Sequence, residues 1–314
     1  MKKIFYTCFL ILLFVLLITF PNIVSKGCIN GINIVLYSLI PALFPFIILT
    51  TFLIENNLCD YICIIFYPFL SKVFPTSKSG IFAIIIGFLC GYPMGAKTVV
   101  DLYKREKIDY NEASYLLMFT NNCSISFLFN FVLYTCLSKE KLFINNIQIT
   151  KPIILILIYL PPVIVGIING LFYRKFLKTF GTNFFPSAKA TNKNYIKNKS
   201  IISSSIIPLL NLSVYVIVFS IIIEFLINLG FKYNILLASI FEITTGIKYI
   251  STTIVNNGLK IFVILFLCSW GGISITMQTF SVLPYKKLMV MYVLGKFETI
   301  TIFCILFYFL FYIL

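Results

Sequence analysis

The sequence predicts an all-α polytopic membrane protein. Of 314 residues, 60% are hydrophobic and only 11% are charged, whereas soluble domains carry about 25% charged residues. Apolar runs recur along the chain at about the 20 residues that cross a hydrocarbon core. These runs are apolar on every side, whereas strands of a membrane barrel alternate in polarity over about ten residues. Helices are therefore the expected spanning elements, with about 8–10 membrane segments in all.

The first apolar run, residues 4–20, follows Lys2 and Lys3 and could open a secretory signal peptide. It is long for a signal core, and no A-x-A cleavage site follows. We therefore predict an uncleaved N-terminal transmembrane helix within residues 1–30.

Basic residues lie between the apolar runs and predict the orientation. The stretch 174–199 holds seven Lys or Arg residues and no acid, which is typical of a cytoplasmic loop. Lys2 and Lys3 place the N-terminus on the same side. Although the net charge is +15, no soluble basic module is present, so no nucleic-acid partner is predicted.

Glycine and proline interrupt the chain in two corresponding places and predict two repeats. The stretch 58–100 contains Pro68, Pro75, Gly91 and Pro93, and paired interruptions mark the binding sites of transporters. The predicted organisation is an N-terminal helix over 1–30, a first repeat over 31–173 with a hairpin at 58–100 and a connecting helix at 152–173, a basic cytoplasmic loop at 174–200, and a second repeat over 201–314 with a hairpin at 235–280.

Short sequence similarities connect the two predicted repeats. Residues 38–41 resemble 205–208, and residues 88–92 resemble 266–270. The first repeat begins outside the membrane and the second begins inside, so the copies are predicted to be inverted re-entrant or broken hairpin units. That layout is typical of secondary transporters.

The segment 91–97 (GYPMGAK) is the first candidate binding element. Glycine and proline end one half-helix there, and small residues let the amides of the next half-helix approach a ligand. Lys97 lies near the start of that helix, whose dipole adds about half a positive charge. This predicts an anion site; alternatively, Lys97 extends to the membrane interface as an anchor.

Asn121 and Asn122 follow in an apolar stretch, 113–137, that is predicted to be a spanning helix. Because an unpaired amide is unfavourable at that depth, they are expected either to face a polar cavity or to hydrogen-bond another helix.

Glu242 is the acidic candidate of the second repeat, beside Thr244 and Thr245. It is interpreted as a carrier of a coupling proton, as a ligand for a substrate amine, or as the counter-charge of Lys248 or Lys97.

Gly271, Gly272, Ser274 and Gln278 repeat the aromatic, glycine and small-residue pattern after Trp270. Trp270 is expected either to stack on a planar ligand or to lie in the interfacial aromatic belt. In the last span, Lys296 and Glu298 are expected to line the cavity or to pair with each other.

An enzyme is not predicted. The chain has no histidine, and no nucleophile–base pair, phosphate loop or CxxC pairing is present, so neither a catalytic residue, a metal ligand nor a cofactor is expected. The predicted substrate-binding residues are Gly91, Tyr92, Pro93, Gly95, Lys97, Asn121, Asn122, Glu242, Thr244, Thr245, Gly271, Gly272, Ser274 and Gln278.

Residues 91–97 followed by 119–122 (FTNN) resemble the YlbJ-type (SpoVV) sporulation integral membrane proteins. The segments 242–248 (EITTGIK) and 271–274 (GGIS) are similar to other recurrent segments of that family, and the resemblance covers roughly residues 32–303.

The resemblance implies a Gate (nucleoside-recognition) architecture similar to concentrative nucleoside transporters. It further implies an integral protein of the outer forespore membrane that helps dipicolinic acid pass towards the forespore. The expected partners are a small anionic or planar solute and the lipid bilayer, and a second copy or other sporulation membrane proteins are alternatives. A nucleoside-type carrier, which Asn121, Asn122 and Gln278 would suit, and a non-transporting scaffold remain open.

Overall fold

The structure, a computed structural model, describes residues 14–15, 17–56, 58–137, 143–144, 147–180, 201–228, 234–254 and 256–313. The helices in chain order are α1 Pro21–Ile34, α2 Ile40–Glu55, α3 Cys59–Val73, α4 Lys78–Cys90, α5 Met94–Lys104, α6 Tyr110–Leu117, α7 Lys151–Phe180, α8 Ile201–Asn228, α9 Asn234–Phe241, α10 Ile243–Thr253, α11 Asn257–Trp270, α12 Gly272–Val282 and α13 Lys286–Tyr308. The wider π-helical segments are Val35–Leu39, Phe127–Cys136 and Phe309–Ile313. One short antiparallel pair joins β1 Phe143–Ile144 to β2 Ile147–Gln148.

The prediction of an all-α polytopic membrane protein is confirmed. In the described residues, four helical stretches are long and apolar enough to cross a bilayer: Lys151–Lys175, Ser205–Asn228, Asn257–Val282 and Lys286–Phe311. A fifth candidate span is the pair Tyr61–Val73 and Lys78–Cys90, which is bent by 94°. Large apolar side chains such as Ile65, Phe69 and Phe172 are exposed, which suits contact with lipid.

The N-terminal part of the chain differs from the predicted boundary at residues 30 and 31. Residues 25–31 belong to α1, which begins at Pro21 and continues through Val35–Leu39 into α2. The polar residues of this stretch have partners on α8: Lys26 forms an ion pair with Glu224, and the Asn30 Nδ2 atom donates to Glu224 at 3.4 Å. The first part of the predicted N-terminal helix, residues 1–13, lies outside the described residues.

The crossing of α1 and α8 depends on a G-x-x-x-G pair. A Cβ atom on Gly27 would lie 2.7 Å from the Ile221 Cα atom, and one on Gly31 would lie 2.7 Å from the Ile217 Cα atom. The two backbones can approach so closely only because both positions lack a side chain, which is the usual basis of such crossings in membranes.

Two corresponding helix pairs occur at the predicted interruptions. α4 and α11 have 13 and 14 residues, and each follows a capping side chain, Ser77 and Asn256. They end at Gly91 (φ 76°) and Gly271 (φ 94°), a conformation that favours glycine. The next helices, α5 and α12, have 11 residues each.

The chain reverses its direction at the first break but not at the second. α5 packs back against α4, whereas α11 and α12 together form one candidate span of 26 residues. In the predicted second hairpin, 235–280, the packed pair is instead α9 and α10. The inverted repeat therefore stays a prediction, supported by matching helix lengths and breaks but not by matching geometry.

The expectation of one continuous helix over 113–137 was wrong. α6 ends at Leu117, residues 121–124 are not helical, and a π-helical segment covers Phe127–Cys136. Asn121 and Asn122 therefore lie in a buried, non-helical segment between two helices. Of the predicted basic loop, 174–200, residues 181–200 lie outside the described part of the chain.

Candidate functional site

The candidate site is built around residues 118–124, which pass between helices of both halves. A Cβ atom on Gly87 or on Gly95 would overlap the Thr120 carbonyl, lying 2.9 or 2.8 Å from its carbon. On the other side, a Cβ atom on Gly295 of α13 would lie 2.5 Å from the Met118 carbonyl carbon. Glycines on α4, α5 and α13 thus leave just enough space for this segment.

Hydrogen bonds satisfy backbone groups of this segment that no helix satisfies. The Tyr92 amide donates to the Asn122 carbonyl at 2.5 Å, and the Tyr159 hydroxyl donates to the Cys123 carbonyl at 2.9 Å. The Asn122 Nδ2 atom donates to the Phe119 carbonyl at 2.6 Å. Such partners are needed because a buried backbone group without one is costly.

Asn121 connects the two halves of the protein. Its Oδ1 atom accepts from the Ala96 amide at 3.3 Å in the first turn of α5, and its Nδ2 atom donates to the Thr279 Oγ1 atom on α12 at 3.0 Å. Asn121 is 1% exposed and Thr279 is fully buried. The Asn121 side chain therefore hydrogen-bonds to two helices, α5 and α12. Both helices were predicted to contribute residues to the site.

Lys97 is buried on α5 and forms an ion pair with Asp101, with the two charged atoms 2.5 Å apart. Asp101 lies one turn later on the same helix, so its carboxylate neutralises the ammonium locally. The Ala96 amide beside it is already capped by Asn121. The Lys97 ammonium and the amides at the start of α5 were predicted to bind an anion. In the structure, the ammonium is paired with Asp101 and the Ala96 amide with Asn121.

Glu242 is 3% exposed and caps α10. Its two carboxylate oxygens accept from the backbone amides of Thr244 at 3.0 Å and Thr245 at 2.7 Å. In the described structure neither Lys248 nor Lys97 forms an ion pair with it. The structure thus gives this carboxylate a capping role, and the two threonines contribute their amides.

We expect Glu242→Ala to lower the free energy of unfolding by about 1–2 kcal/mol, because two amides of α10 lose their acceptor. Glu242→Gln keeps one of the two acceptor oxygens and should lose about half of that. Thermal unfolding of the detergent-solubilised variants measures both values. If Glu242→Gln abolished solute uptake while remaining as stable as the wild type, the proton-carrier interpretation would be favoured instead.

Gly271 and Gly272 form the second break, close to the end of α9. A Cβ atom on Gly272 would lie 3.0 Å from the Ile240 carbonyl oxygen, so this break lies beside the segment that leads into Glu242. Further along α12, the Gln278 Nε2 atom donates to the Ser274 Oγ atom at 3.0 Å, and both residues are buried.

Lys296 on α13 reaches the same region from the second half. It is 6% exposed, its Nζ atom donates to the Ser269 carbonyl at 3.1 Å, and it lies 5.8 Å from the centre of the Tyr92 ring. Glu298 turns to α7 instead, where it accepts from the Asn169 Nδ2 atom at 2.5 Å. The two residues therefore do not pair with each other.

A pocket of about 210 Å³ adjoins Lys296. Its lining includes Trp270, Thr276, Tyr292 and Phe297. The Tyr292 side chain is 1% exposed, and its hydroxyl faces the side chains of Thr279, Asn121 and Thr276 without making a hydrogen bond of ordinary geometry to any of them. Lys296 was expected to line the cavity or to pair with Glu298, and it lines this pocket. Tyr292 and Thr279 were not predicted from the sequence.

The first-half elements of this site lie in a recognisable domain. Residues 36–140 match the family described as Gate, nucleoside recognition. This part of the chain is therefore similar to Gate domains. It contributes the Gly91 break and Asn121, whereas Trp270, Thr279 and Lys296 lie beyond it.

The chain as a whole is similar to the sporulation integral membrane protein YlbJ of Bacillus subtilis (strain 168). The two are 25% identical over 310 residues, covering 88% of this chain and 74% of the relative. The family resemblance predicted from the motifs of the Gate domain and the second half is confirmed. The chain is an integral membrane protein, and no solved structure matches it.

Proposed function

We propose that this protein is a non-enzymatic carrier of a small solute across a membrane during endospore formation. The observation that carries the proposal is the meeting of α5, residues 118–124 and α12 at Asn121, next to a pocket that contains a buried lysine. Non-helical backbone at membrane depth is tolerated where it is buried in protein or lines a cavity, and transporter sites use it.

We propose dipicolinic acid as the solute and the outer forespore membrane as the location. The similarity to a sporulation membrane protein supports the setting. A planar dianion suits a pocket that offers an ammonium group and aromatic walls. The cytoplasmic placement of the N-terminus and of the loop 174–200 belongs to the same proposal.

A nucleoside is the second candidate, because the Gate domain is described by nucleoside recognition. The amide side chains favour it less than the sequence suggested: both polar ends of Asn121 are occupied by protein groups, and the Nδ2 atom of Asn122 binds the Phe119 carbonyl.

Uptake by the purified protein in sealed liposomes decides between these functions. We expect saturable uptake of radiolabelled dipicolinate that unlabelled uridine does not compete away. Deleting the gene should lower the dipicolinic acid content of the spores. Uptake of uridine but not of dipicolinate would establish the nucleoside carrier, and a loss of spore dipicolinic acid without uptake of either solute by the purified protein would favour the scaffold.

A further inference from the structure

Lys296 is an unusual residue for its position. It lies in the middle of the candidate span Lys286–Phe311 and is 6% exposed. Among the described residues no carboxylate forms an ion pair with it. Ionisable residues at such depth are rare and are usually paired or functional. The other deeply buried lysine of the described structure, Lys97, has Asp101 as its counter-charge.

The ammonium of Lys296 keeps donor capacity for a ligand. An ammonium has three N–H donors, and the protein uses one of them for the Ser269 carbonyl at 3.1 Å. The Tyr92 ring centre lies 5.8 Å from the Nζ atom, which stabilises positive charge without supplying an acceptor oxygen. The remaining donors of the ammonium can therefore bind an anionic ligand.

The pocket beside this ammonium has the shape and chemistry for an apolar body. Its lining is mainly hydrophobic and includes Trp270, Phe297 and Ile300. Polar groups are few: Thr276 and the unpaired hydroxyl of Tyr292 accompany Lys296. Pockets with apolar walls and a few convergent polar groups are typical ligand sites.

We propose that this pocket is the solute-binding site, that it takes a small carboxylate with a planar apolar body, and that Lys296 binds the carboxylate. The Tyr292 hydroxyl donates the second hydrogen bond, and Trp270 forms one wall. This inference rests on the proposed carrier function. It moves the anion ligand from Lys97, predicted from the sequence, to a residue outside the Gate domain.

The chain provides its own reporter, because Trp270 is its single tryptophan and lines the pocket. Tryptophan fluorescence of the full-length protein in detergent is titrated with dipicolinate, with its neutral diamide and with decanoate as a lipid-like carboxylate. We expect saturable quenching by dipicolinate and none by the diamide. Stronger binding of decanoate than of dipicolinate would overturn the assignment to a small planar solute.

The decisive variants are Lys296→Met, which keeps an unbranched side chain and removes the ammonium, and Lys296→Gln, which removes the charge and keeps an N–H donor on a side chain one atom shorter. Each should weaken dipicolinate binding about 10- to 100-fold, as expected for a charge-assisted hydrogen bond. Lys287→Met is the matched control, because this exposed lysine lies nine residues earlier on the same helix. It should change binding less than about twofold, within the range of ordinary surface substitutions.

Uptake separates this inference from the proposed function. If the wild type transports dipicolinate and Lys296→Gln does so equally well, the carrier stands and the Lys296 site is wrong. If Lys97→Met and not Lys296→Gln abolishes binding, the anion site lies at α5. If the wild type neither binds nor transports a carboxylate, the Lys296 site and the choice of dipicolinic acid as the solute are both wrong.

Discussion

Replacing Gly87 with alanine is expected to lower the free energy of unfolding by about 3 kcal/mol or more. The new methyl carbon would lie 2.9 Å from the Thr120 carbonyl carbon and closer still to its oxygen. Both atoms belong to backbone, so no flexible side chain can move aside. Residues 118–124 would have to leave their position, and the contacts of Asn121 would be lost with them.

Gly258→Ala provides the matched control for this experiment. Gly258 also lies in a helix, but its nearest neighbour would be the Asn256 Oδ1 atom at 3.4 Å, an ordinary contact. Because alanine favours helix by up to about 1 kcal/mol over glycine, this variant should be neutral or slightly stabilised. The stabilities of both variants are measured by unfolding in mixed micelles with increasing SDS. If Gly87→Ala and the wild type unfolded at the same SDS fraction, residues 118–124 could not pass as close to α4 as the structure shows.

Replacing Asn121 with leucine is expected to cost about 2 kcal/mol of stability and to abolish solute uptake. The substitution leaves the buried Ala96 amide without its acceptor, which costs about 1–3 kcal/mol. It also removes the side-chain hydrogen bond that joins α12 to the first half of the chain. Thr279 is affected less, because its hydroxyl still donates to the Ile275 carbonyl at 2.8 Å.

A double-mutant cycle with Thr279→Val isolates the contact between the halves. If Asn121 and Thr279 are coupled as the 3.0 Å contact indicates, the cycle should give an interaction energy of about 1 kcal/mol. Asn130→Leu is the control, since Asn130 is an exposed amide on the next helical segment. Additive effects of the Asn121 and Thr279 substitutions would show that the contact is not formed.

The helix breaks at Gly91 and Gly271 were predictable because their cause is local. Gly91 is followed by Pro93 and Gly271 by Gly272, and such residues weaken a helix wherever they occur. The break at residues 118–124 was not predictable from its own sequence, because 113–137 contains neither glycine nor proline. Its cause lies in Gly87, Gly95 and Gly295, which make room for it from distant parts of the chain.

The partners of the charged residues were likewise predictable only where they lie close in sequence. The partner of Lys97 is Asp101, four residues later, and this spacing is visible in the sequence. The surroundings of Lys296 combine Ser269 of α11 with Tyr92 of the first half, so only the tertiary structure brings them together. Lys26 and Asn30 likewise have Glu224 as their partner, almost two hundred positions away.

The ion pair between Lys26 and Glu224 also constrains how the protein is made. The two residues are 224 − 26 = 198 positions apart, so at about 5–20 residues per second the ribosome needs about 10–40 s to get from one to the other. Lys26 is largely exposed, whereas Glu224 is 3% exposed in the finished protein. The cation that neutralises this buried carboxylate is therefore already synthesised when α8 emerges, and α8 docks onto a helix made well before it.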